Sequence, residues 1–122
     1  MPRSSATSHE LARVELLAGL PGETLQKLGQ RMEREDVAPG TVIVREGDAG
    51  DRFYVVFAGM LTVNQRDLGN LGVLRPGDYF GEVALAMDMP RTATVTAITP
   101  SVVASCDRAT FDEIIRPLFA DD

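Results

Sequence analysis

Between Thr41 and Cys106 the sequence is cut into short β-type runs by clusters of glycine, proline, asparagine and aspartate. The segments Thr41–Val44, Phe53–Phe57, Met60–Val63, Leu71–Leu74, Thr94–Ala97 and Val102–Cys106 are rich in β-branched and apolar residues and read as strands. Glu46 to Asp51, Ala58-Gly59, Leu68-Gly69-Asn70, Pro76-Gly77-Asp78 and Thr99-Pro100 lie between them and carry turn chemistry. Strands recurring every ~8–12 residues, with no long helix between them, point to a sandwich, jelly roll or barrel rather than a parallel βαβ sheet.

The flanks have a different period. The first forty residues read as helical: Leu11, Val14, Leu17 and Leu20 form one apolar stripe, and Leu25, Leu28 and Met32 a second after the Pro21-Gly22 break. At the other end Asp107 is placed to cap a helix through Phe111, Ile114 and Ile115, which Pro117 should end or kink. A length of 122 residues supports one domain. Such a chain buries roughly two thirds of its unfolded surface, enough for a core without staples.

Composition removes several kinds of chemistry. One histidine, His9, and one cysteine, Cys106, cannot supply a zinc site or a metal-dependent barrel enzyme, so no metal site and no catalytic residue is expected. Cys106 falls in an apolar run far from His9 in sequence and reads as a buried strand thiol. Asp48, Asp51 and Asp78 sit at turns, where acceptor side chains serve the backbone. A net charge of −6 argues against general nucleic-acid binding. No apolar stretch reaches the ~18 residues of a membrane helix. Met1 to Glu10 is polar and lacks a secretory signal's apolar middle, so a flexible leader and a cytoplasmic location are expected.

One stretch departs from generic strand-and-turn sequence. Phe80-Gly81-Glu82-Val83-Ala84-Leu85 suits a single short helix, and Pro90-Arg91-Thr92-Ala93-Thr94-Val95 follows it. Glycine permits close approach of a ligand to the backbone, and the first turn of a helix presents unpaired N–H groups suited to an anion. A guanidinium fixed after a proline can grip a phosphate with two parallel hydrogen bonds. Glu82 can accept from a sugar hydroxyl and also hold Arg91, and the Thr92 hydroxyl can donate to phosphate or to a base edge. Residue chemistry alone leaves a second reading open, in which Glu82 and Arg91 form an ion pair that only ties a loop to a strand.

These two runs closely resemble the phosphate-binding cassette of cyclic nucleotide-binding domains, the family of catabolite activator proteins, cyclic-nucleotide-dependent kinases and cyclic-nucleotide-gated channels. Further resemblance lies in Pro39-Gly40-Thr41-Val42-Ile43, Arg45-Glu46-Gly47-Asp48, Phe53-Tyr54-Val55-Val56, Gly59 and Pro76-Gly77-Asp78-Tyr79, so that it covers about Leu11 to Phe119. It implies a mainly β, jelly-roll-like β-roll of about eight short strands with N-terminal helices, a short cassette helix and a C-terminal helix. The domain would occupy residues 11–122 behind a leader at 1–10.

The resemblance also implies roles. Arg91 would pair with the exocyclic phosphate oxygens of a 3′,5′-cyclic nucleotide, and Glu82 would accept the ribose 2′-hydroxyl. The Gly81 and Ala84 amides would help hold sugar and phosphate, and Thr92 would touch the phosphate. Leu74 would offer apolar surface to the purine with the Val83 backbone nearby, although core packing explains Leu74 equally well. The implied function is that of a regulatory domain controlling an attached or associated effector, with no catalysis, no cofactor, no direct nucleic-acid binding and no membrane insertion. A ligand-free adaptor on the same roll is the alternative. Thr92 permits cGMP, but many bacterial members carrying threonine there use cAMP, so cAMP and a bacterial source are expected. The family's second C-terminal lid helix is expected to be missing, since the sequence ends near where it should begin.

Overall fold

The computed structural model describes residues 5–119. Eight strands form two four-stranded antiparallel sheets. The first has the order β1 (Glu33–Val37), β8 (Ser101–Asp107), β3 (Arg52–Ala58), β6 (Tyr79–Phe80). The second runs β2 (Val42–Val44), β7 (Thr94–Ala97), β4 (Leu61–Gln65), β5 (Gly69–Leu74). The fold is thus mainly β, and all six strands expected from the sequence form.

β3 shows how the layers assemble. Its side chains alternate between faces, as the pleat requires. Phe53 and Val55, both fully buried, join the helices on one side with Leu11, Leu17, Leu28, Phe111 and Ile115. Val56, on the other face, packs with Leu61, Phe80, Val95 and Val103 between the sheets. The first sheet is therefore covered by helices on one face and by the second sheet on the other.

The N-terminal region differs from its sequence reading. Leu11, Val14 and Leu17 of the stripe are fully buried and Leu20 half-buried, but the stripe is not one helix: α1 (Ser8–Leu11) gives way to a 3₁₀ turn at Glu15–Leu17, with Val14 extended between them. Apolar residues every third position match the three-residue turn of a 3₁₀ segment better than the 3.6 of an α-helix. A capping box between Thr7 and Glu10 starts α1. Ala6 is buried, and its N–H donates to the Gly29 carbonyl at 3.3 Å. A methyl group on Gly29 would sit 2.3 Å from the Ala6 carbonyl oxygen, so α2 (Gly22–Gln30) meets the chain at a position only glycine fits. Ordered structure therefore reaches into the expected leader 1–10 at least as far as Ala6, while residues 1–4 lie outside the described residues.

Glu33–Val37, inside the segment expected to be helical, is a strand. It is an edge paired only to β8, and four of its five residues are charged, which protects such an edge from stray pairing. At the far end Asp107 caps as expected, its carboxylate accepting from the Thr110 N–H at 2.9 Å. The helix it starts is only α4 (Arg108–Thr110), followed by a π-turn at Phe111–Ile115 and a 3₁₀ turn at Arg116–Phe119 that contains Pro117. Residues 120–122, and with them the expectation of a missing lid helix, lie outside the described residues.

Candidate functional site

Between β6 and β7 the chain forms α3 (Glu82–Ala86), entered through Gly81 at φ 95°. That left-handed geometry favours glycine, and space reinforces it: a methyl group there would lie 2.8 Å from both the Arg52 carbonyl oxygen and Arg91 Nη1. The far end of α3 is clasped by the C-terminal segment. Arg116 donates to the carbonyls of Leu85 (3.1 Å) and Ala86 (3.2 Å), and Arg108 to those of Leu85 (3.4 Å) and Gly50 (3.2 Å). The Leu85 and Ala86 carbonyls have no partner within so short a helix, and cations suit that end.

Arg91 is the only charged residue among the buried polar side chains of the described residues, at 7% exposure. Its guanidinium donates to the carbonyls of Arg52 (Nη2, 2.9 Å) and Gly81 (Nη1, 3.3 Å) and lies 5.8 Å from the centre of the Tyr54 ring. Tyr54 in turn stacks face to face on Phe80 at 4.8 Å. Gly50 closes the other side: a methyl group there would stand 2.4 Å from Ala84 Cβ and 3.1 Å from Arg91 Nε. Burial lowers the Arg91 pKa, while the Tyr54 and Asp51 charges oppose the shift. A guanidinium has five N–H donors, so the two carbonyls leave others for a ligand.

A cavity of about 210 Å³ opens in front of Arg91. All seven residues expected at the site, Leu74, Gly81, Glu82, Val83, Ala84, Arg91 and Thr92, line it. Val44, Val63, Tyr79, Phe80, Ala93 and Val95 complete the wall and were not singled out from the sequence. They come from β2, β4, β6, β7 and the segment before β7, and only the sandwich brings these elements together. Leu74 serves both readings, packing against the inter-sheet core and lining the cavity.

The simple ion-pair reading is corrected. Among the described residues Arg91 forms no salt bridge, and its side chain donates to main-chain carbonyls, so Glu82 does not hold it. The Glu82 carboxyl is instead half-buried, and desolvation raises its pKa. Burial, then the Glu82 charge, raises that of Tyr79. The site thus presents a buried cation at its floor, a desolvated carboxylate on one side and apolar side chains across from it, a set matched to an anionic group on a polar ring bearing an apolar base.

Cys106 is fully buried, and burial pushes its thiol up to about 12, so it is an unreactive part of the core. No helix among the described residues is long and apolar enough to cross a membrane.

Comparison with known proteins agrees with this geometry. The sequence profile of the cyclic nucleotide-binding domain matches residues 34–117. The cAMP-dependent protein kinase regulatory subunit of Yarrowia lipolytica is 40% identical over 109 residues, covering 88% of this chain and 29% of that protein. The cGMP-dependent protein kinase isozyme 1 of Drosophila melanogaster is 38% identical over 115 residues, covering 88% of this chain and 15% of that protein. Among solved structures, the regulatory domain of Toxoplasma gondii PKA with cAMP superposes with a TM-score of 0.85 at 30% identity, covering 91% of this chain and 44% of that one. The chain therefore spans less than a third of the length of these curated relatives. All three are eukaryotic and lend no support to the expected bacterial source. A glycine-hinged cassette, a buried arginine and a profile match across most of the chain lead to one assignment: the chain belongs to the cyclic nucleotide-binding domain family and is homologous to the regulatory subunits of cAMP-dependent protein kinase.

Proposed function

We propose that the cavity receives a 3′,5′-cyclic nucleotide, with cAMP preferred over cGMP, and that its occupancy controls an attached or associated effector without catalysis by this domain. The observation that carries the reading is the buried guanidinium of Arg91, held by two carbonyls at a cavity lined by residues of both cassette runs. Burying a cation costs free energy, and an anionic ligand compensates that cost in a partly dry site, where each charge-assisted hydrogen bond contributes about 1.5–3 kcal/mol.

In this reading Arg91 meets the exocyclic phosphate oxygens and Glu82 takes the ribose 2′-hydroxyl. The amides of Gly81 and Ala84 meet sugar and phosphate, and Thr92 touches the phosphate. Leu74, with the Val83 backbone, faces the purine. Val83, which lines the cavity where the base would lie, is 38% exposed. The effector side of the proposal rests on the relatives' being regulatory parts of kinases.

Thermal unfolding with and without nucleotide tests the reading. Ligand at 100 times its dissociation constant stabilises the fold by about 2.7 kcal/mol, seen as a clear rise in Tm. A melting temperature unmoved by either cAMP or cGMP would overturn the proposal and favour a ligand-free adaptor.

A further inference from the structure

β4 and β7 pair as far as Asn64 and Thr94, and one step further the main chains part. β7 leads back into the cassette segment carrying Arg91 and Thr92, whereas Gln65 pairs across to Gly69 of β5. At this fork the Gln65 side chain replaces the missing ladder bond: Nε2 donates to the Thr92 carbonyl oxygen at 2.8 Å.

The segment around it is pinned from the opposite side. The Arg91 N–H donates to the Asp48 carbonyl at 2.8 Å, and the Gly47 N–H to the Arg91 carbonyl at 2.9 Å. The Glu46 N–H donates to Thr94 Oγ1 at 2.9 Å. These bonds fix Arg91 and Thr94 but leave the peptide between Thr92 and Ala93, which Gln65 alone grips among the described side chains. That peptide is trans and planar, so the Ala93 N–H points opposite to the Thr92 carbonyl. Thr92 and Ala93 both line the cavity.

We propose that Gln65 is a positioning residue, which by holding the Thr92 carbonyl fixes the orientation of the Thr92 main chain and so the contact that Thr92 makes with the ligand's phosphate. The inference rests on the cyclic-nucleotide reading above. Gln65 is half-buried at the end of a strand and reaches the ligand site only through Thr92. Neither the cassette helix nor the Arg91 clamp depends on it.

The test compares wild type with Gln65→Met, which has similar bulk and no donor, and Gln65→Lys, which restores a donor. Calorimetric titrations use cAMP and its Rp and Sp phosphorothioates, in which sulfur replaces one or the other exocyclic oxygen. Gln65→Met is expected to bind cAMP about five-fold more weakly, the equivalent of one neutral hydrogen bond. Its Rp-to-Sp affinity ratio should also differ from wild type by at least about two-fold, with Gln65→Lys returning the ratio toward wild type. An unchanged ratio, with or without a general loss of affinity, overturns the inference, because a merely loosened strand weakens both diastereomers alike. A wild-type protein that binds none of the three ligands overturns the cyclic-nucleotide reading, and this inference with it.

Discussion

The Arg91 guanidinium lies 5.8 Å from the centre of the Tyr54 ring, and that ring stacks in turn on Phe80 at 4.8 Å. The ring supports a buried cation that has no carboxylate partner among the described residues. A desolvated cation on an aromatic face gains about 2 kcal/mol or more at best, and less where water reaches it. Tyr54→Leu is therefore expected to weaken cAMP binding about three- to ten-fold with the fold retained, whereas Tyr54→Phe should bind nearly as wild type. Equal affinities in all three proteins would remove Tyr54 from the site's support.

The same placement provides a direct optical signal. The chain has no tryptophan and only two tyrosines, Tyr54 beneath Arg91 and Tyr79 on the cavity wall. Tyrosine emission should therefore change on titration with cAMP and saturate at one ligand per chain. Emission that stays flat while calorimetry records binding would place the nucleotide elsewhere.

Two glycines with similar dihedral angles should respond very differently to alanine. A methyl group on Gly81 (φ 95°) would lie 2.8 Å from the Arg52 carbonyl oxygen and Arg91 Nη1, whereas one on Gly47 (φ 89°) would meet open space. Gly47→Ala carries only left-handed backbone strain, about 1–2 kcal/mol. Gly81→Ala adds a clash at the Arg91 clamp, so it should lose more stability in denaturant melts and reduce nucleotide affinity as well. Matching losses in the two variants would mean that the clamp has room to yield.

Glu82 links the site to pH. Burial raises its folded pKa above the usual 4.5, so the native state holds that proton more tightly than the unfolded chain does. The ionised carboxylate accordingly lowers stability at pH values above that range, and the cost fades as pH falls through the folded pKa and toward the unfolded value. Glu82→Gln should raise Tm at pH 7, with the gain shrinking as pH approaches 4.5, while affinity for cAMP falls through loss of the 2′-hydroxyl acceptor. A variant that is less stable than wild type at pH 7 would contradict this account of the carboxylate.

Base preference rests on the exposed Thr92 side chain. Competition titrations of wild type and Thr92→Ala with cAMP and cGMP should show cAMP favoured in both. A wild type that prefers cGMP, with a selective loss of cGMP affinity in the variant, would reverse the assignment.

The parts of this molecule that could be read from sequence are those in which neighbours in the chain are also neighbours in space. The cassette lies within Phe80 to Val95, and its glycine, carboxylate and arginine were identifiable there because the local turn itself builds the floor of the cavity. Strands with apolar alternation were visible for the same reason. β1 was not, since charged Glu33, Arg34, Glu35 and Asp36 show no apolar period and pair only through backbone at an edge. β6 has two residues, too few to carry a pattern. The partners of Arg91 were hidden in another way. Arg52 contributes a main-chain carbonyl, Gly50 contributes only the absence of a side chain, and Tyr54 looked like ordinary strand filling. None of these roles leaves a mark on residue type, and all depend on β3 and the preceding turn lying beneath the cassette.

The most direct measurement is calorimetric titration of wild type and Arg91→Ala with cAMP, alongside a melt confirming that the variant folds. Losing the charge-assisted contacts to the phosphate should weaken binding at least about 30-fold, equivalent to about 2 kcal/mol. A folded Arg91→Ala protein that takes up cAMP as tightly as wild type would contradict the role given to this guanidinium.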